Sequence, residues 1–121
     1  MAEPDDPLQQ TIASLRAEFA SRLPGRIDEL ERLWQVVAAE DAPATAVQGM
    51  PQAALDDLIR AAHGIAGAGA VFGFAAAGIA ARELEQFLEQ LRDGKRPPDA
   101  AGRERGAGLI AALRNLAGQP R

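Results

Sequence analysis

Apolar residues recur along this chain at intervals of three and four, segment after segment, and that spacing dictates helices. In the first segment they are Leu8, Ile12, Leu15, Phe19, Leu23, Ile27, Leu30, Trp34 and Val37. Asp5 or Asp6 serves as a candidate cap, with Pro7 in the first turn. Pro24-Gly25 interrupts the seam, and an internal proline removes a hydrogen bond and kinks a helix. The apolar phase nevertheless carries through, which predicts one long kinked helix in place of two. Residues 40–50 have no period and read as a loop. A second helix is expected from Pro51, with Leu55, Leu58, Ala62, Ile65, Gly69 and Phe72 as its seam and Gly73 as a kink or stop. A third presents Phe74, Ala77, Ala81, Leu84, Leu88 and Leu91 on one face and ends at Asp93-Gly94. Lys95 to Pro98 reads as a turn. The last helix runs to about Leu116 with Leu109, Ile110, Leu113 and Leu116 inward, and Gly102, Gly106 and Gly108 make its first turns weakly helical.

Composition points the same way. Aromatic residues are 4% of the chain, and much of the 47% that is hydrophobic is alanine, which favours close helix packing over strands. With 121 residues the chain can bury one core. The expected fold is all-α, an antiparallel four-helix bundle forming a single domain over residues 1–121, with 1–7 as a flexible N-terminus. Its core should include Phe19, Leu30, Trp34, Leu58, Ile65, Phe72, Leu84, Leu88 and Leu113.

Charge and cysteine usage narrow the function. The net charge is −4, and no basic stripe offers a footprint for nucleic acid. Cysteine is absent, which excludes disulfides, thiolate catalysis and cysteine-bearing zinc sites. Met1 to Pro7 is acidic and polar, unlike a secretory signal. Ala61 to Ala81 has only His63 as a polar interruption and is about long enough to span a bilayer. It is mostly alanine and glycine, however, so a membrane segment is the lesser reading and a cytoplasmic location the expected one.

One histidine cannot form a His-His metal pair, and no metal site is expected. Nothing resembles a nucleophile elbow. The glycines from Gly64 to Gly73 lie inside a helical period, not between a strand and a helix as a phosphate-cradling loop requires. His63 itself is informative. At about 100° per residue it points about 130° away from the mean direction of its helix's seam. Asp56, Gly67 and Ala70 share its side of the helix, and Arg60 and Ile59 flank it. Gly64, Gly67 and Gly69 each cost roughly 1 kcal/mol relative to alanine inside a helix. Gly69 lies on the seam, where close packing explains it. Gly67 faces outward beside the imidazole, where a bare backbone is what an approaching phosphate or chain would need.

From these residues the sequence resembles the histidine phosphotransfer (HPt) domain family. The run His63-Gly64-Ile65-Ala66-Gly67-Ala68-Gly69-Ala70-Val71-Phe72-Gly73 is similar to the family's histidine motif, and Ala81-Arg82-Glu83-Leu84-Glu85 to its Ala-x-x-Leu-Glu. The resemblance covers about residues 52–90. It implies a phosphocarrier without kinase activity of its own, with His63 as phosphoacceptor. A response-regulator receiver domain or hybrid histidine kinase would be the partner, and this chain a monomer. No cofactor is implied here; magnesium would sit on the receiver. The family usually has lysine where Ala66 stands, so Arg60 is the expected cation in a phosphoryl environment with Ala66 and Gly67. Ile59, Gly64 and Ala70 are the expected docking surface. Two rival readings are a helical module that binds a receiver or kinase without passing phosphate, and a small membrane-associated helical protein.

Overall fold

A computed structural model describes residues 7–39, 51–95 and 99–117. The described residues form four helices: α1 Pro7–Val37, α2 Gln52–Val71, α3 Ala75–Arg92 and α4 Ala100–Ala117. No strand occurs among them. The expected cap at Asp5 or Asp6, the loop at 40–50, most of the Lys95–Pro98 turn and all of the expected flexible N-terminus at 1–7 except Pro7, which opens α1, lie outside the described residues.

Each helix packs against its chain neighbours, and α4 closes back onto α1, so the bundle is a ring of four with a single core. Short connections force α2 to run antiparallel to α3, and α3 to α4. At the α2–α3 turn Gly73 takes φ 86°, a left-handed conformation that glycine adopts without penalty. Phe19 from α1 packs there against both flanking rings, 5.9 Å from Phe72 and 5.4 Å from Phe74 by centroid. Arg16 Nε–H donates to the Phe72 carbonyl at 3.0 Å. The turn that fixes the α2–α3 hairpin is therefore clamped from a third helix.

α1 runs unbroken through Pro24, and the seam on either side of it, Leu23, Ile27 and Leu30, is buried. Its first turns differ from expectation. Leu8, Ile12 and Leu15 continue the seam in sequence yet are exposed, because α1 passes the end of the α2–α3 hairpin at Arg16 and Phe19. Phe72, expected in the core, is half-buried at the turn, and Leu109 and Leu116 are likewise half-buried against the core. α4 begins on a cap the expectation lacked: the Gly102 N–H donates to Asp99 Oδ1 at 2.8 Å. At its other end Arg114 bridges to Glu31 and Asp28 of α1 at 2.8 and 2.6 Å. The hydrogen bonds that the guanidinium donates to Glu31 and Asp28 push its pKa up further.

Ala61 to Ala81 is not one span. The turn at Gly73 divides it between α2 and α3, and no helix among the described residues is long and apolar enough to cross a membrane.

Candidate functional site

α2 and α3 approach until their backbones touch: a methyl group on Gly69 would sit 3.0 Å from the Gly78 Cα. That crossing sets the register of everything above it. Ten residues before Gly73 on α2 lies His63, and twelve after it on α3 lies Glu85. The antiparallel pairing brings the two together, and His63 Nδ1–H donates to Glu85 Oε2 at 2.8 Å. A carboxylate can only accept, so a neutral ring held by this bond carries its proton on Nδ1 and its lone pair on Nε2. The imidazole side chain is 76% exposed, while Glu85 beneath it is only 16% exposed. A sheltered carboxylate thus holds an accessible ring.

His63 stands at the rim of a groove of about 620 Å³ between the two helices. α2 supplies Ala66, Gly67 and Ala70, all short. α3 supplies the long side chains, among them Ile79, Arg82, Glu85 and Glu89. The outward face read from helical phase is therefore open ground. Gly64 and Gly67 have nothing within 4 Å of where a Cβ would project. Ala66 and Gly67 both border the histidine's groove, and Ala70 is exposed further along it.

Two expectations need correction. Ile59 belongs to the core: it is 8% exposed, so its side chain is not part of a docking surface. The six-residue seam underestimates how wide an arc α2 buries, because the helix is gripped by both α1 and α3. Arg60 does not line the groove. Its guanidinium faces Asp57 at 3.3 Å, one turn back on the same helix.

Glu85, Arg82 and Ile79 were not among the expected site residues. Glu85 was within reach of the sequence, because a stop at Gly73 makes the hairpin fold about that residue and sets His63 opposite residues near 83–85. Helical phase then selects Glu85, which flanks the α3 seam, over Glu83. Among the described residues no cluster of three histidine, aspartate or glutamate side chains is placed to hold a metal ion.

Comparison with protein-family models matches residues 14–119 to the Hpt domain. Comparison with curated proteins and with solved structures returns no match.

Proposed function

The chain belongs to the Hpt domain family, whose members are phosphotransfer modules of phosphorelays, and from that premise we propose that it relays a phosphoryl group on His63 between receiver domains. The observation that carries this reading is the exposed imidazole held through Nδ1 by Glu85. In the forward step a receiver's phosphoaspartate docks over the groove. The Nε2 lone pair attacks phosphorus in line, the N–P bond forms, and the P–O bond breaks with its electron pair left on the aspartate carboxylate. The ring becomes cationic as it takes the phosphoryl group, and the Glu85 carboxylate balances that charge through Nδ1–H. This is the service an aspartate gives a catalytic histidine elsewhere. The reverse sequence delivers the group to a second receiver. The receiver supplies the magnesium, and this chain acts as a cytoplasmic phosphocarrier with no kinase step of its own.

Docking needs an apolar floor, and with Ile59 in the core the candidates change. Ile79 is 63% exposed and lines the groove with Ala70, and Val71 is exposed at the end of α2. Exposed large aliphatics beside a nucleophile are what a receiver's apolar contact face would cover.

The test is incubation with a receiver domain phosphorylated on its aspartate. Acid-labile, base-stable label should appear on the wild-type chain and not on His63→Gln. Glu85→Ala should accept label about tenfold more slowly, since its ring tautomer is no longer fixed. A wild-type chain that binds the receiver without acquiring label would leave only the interaction-module reading.

A further inference from the structure

The α2 wall of the groove carries no cation, and the α3 wall carries one. Arg82 sits one turn before Glu85 on the same helix and lines the same space as His63. Facing it across the groove are Ala66 and Gly67, neither long enough to obstruct it.

Among the described residues most arginines have a partner and Arg82 has none. What sets it apart from Arg105 of α4, which also lacks one among them, is its place in the groove with His63. Arg22, Arg32, Arg60, Arg92 and Arg114 each pair with a carboxylate. Arg16 donates to the Phe72 carbonyl and Arg26 stacks over the Phe19 ring. Arg82 has no hydrogen bond or ion pair with any described residue. A carboxylate does stand three residues on, at a spacing that ordinarily pairs. That carboxylate is Glu85, and it is committed to His63.

The groove's charge gives this free guanidinium a task. A phosphoryl group on Nε2 adds a charge of about −1.5 to −2. Glu85 and Glu89 already line the same groove, so a dianion placed there meets like charges unless a cation answers it. A guanidinium suits the need, since its planar fork can bond two phosphoryl oxygens at once.

We propose that Arg82 binds the phosphoryl group carried on His63 Nε2, making the α2–α3 groove a phosphoryl site whose nucleophile comes from one helix and whose cation comes from the other. The assignment rests on the phosphotransfer reading of His63. It makes Arg82, not Arg60, the charge that compensates for the short side chain at Ala66.

The experiment uses phosphoramidate as a small phosphoryl donor on the whole chain: Nε2 forms the N–P bond, the donor's P–N bond breaks and ammonia leaves. Phosphorus NMR then follows the second ionisation of the phosphoryl group against pH. A cation favours the dianion and lowers the midpoint, so Arg82→Gln should raise it by about half a unit or more. The same variant should slow phosphorylation by about three- to tenfold, with Arg82→Lys between it and wild type. Arg92→Gln, at the far end of α3, is the control and should match wild type. A merely structural role for Arg82 would leave the midpoint unmoved. An unchanged midpoint and rate in Arg82→Gln, or a shift seen in Arg60→Gln instead, would overturn the assignment while leaving the phosphotransfer reading intact. Failure of the wild-type chain to label, under conditions that phosphorylate a free histidine derivative, would overturn both.

Discussion

Three glycines stand within two turns of α2, and helix propensity treats them alike, but their surroundings separate them. Gly67 has open space where a side chain would project, so Gly67→Ala should stabilise the protein by something under about 1 kcal/mol. Gly67→Phe should keep the wild-type melting temperature and lose most of its transfer rate, because the ring would occupy the approach to His63. Gly69 touches the Gly78 backbone, so Gly69→Ala should lower the melting temperature, the neighbouring helix having to move. Thermal melts of the two alanine variants with opposite signs would check the distinction. Helical phase alone separates these positions, since one is on the seam and the other faces out. The partner of His63 was harder to read. Glu85 lies on a different helix, and an assignment made one helix at a time never asks which residue stands opposite. Once the turn at Gly73 is taken as a mirror point, that question has an answer in the sequence.

At the scale of the element, α4 shows how propensity misleads when packing decides. Its glycines read as weakness, yet Gly106 lies directly under Trp34 of α1, where any Cβ would overlap the indole. Gly106→Ala should therefore destabilise the bundle by about 1–3 kcal/mol, overpacking outweighing a propensity gain of roughly 1 kcal/mol. Chemical denaturation measures the net sign, and an alanine variant more stable than wild type would mean that the α1–α4 contact is looser than this. Gly73→Ala should also cost about 1–2 kcal/mol, since its backbone is left-handed. The seams themselves were legible: Leu55, Leu58, Ala62 and Ile65 on α2, and Ala77, Ala81, Leu84, Leu88 and Leu91 on α3, are buried as their spacing implies. What spacing does not give is the width of the buried arc or the end of a neighbour. Ile59 went inward because α2 has two neighbours, and Leu8, Ile12 and Leu15 stayed outside because α1 outruns the hairpin.

For the molecule as a whole, the ring of four helices leaves the α2–α3 groove facing outward, so chemistry there depends on rigidity supplied from elsewhere. α1 provides it by clamping the hairpin turn through Phe19 and Arg16. The result is an exposed imidazole on a fixed helix, its inner nitrogen held by a sheltered carboxylate and its outer nitrogen turned away from it. The proposed phosphotransfer thus turns on one atom, Nε2 of His63. Nitrogen-resolved phosphorus NMR of the phosphorylated chain tests it most directly. A single phosphohistidine with phosphorus on Nε2 is expected, and no signal from His63→Gln. Phosphorus on Nδ1, or acid-labile label retained in His63→Gln, would contradict it.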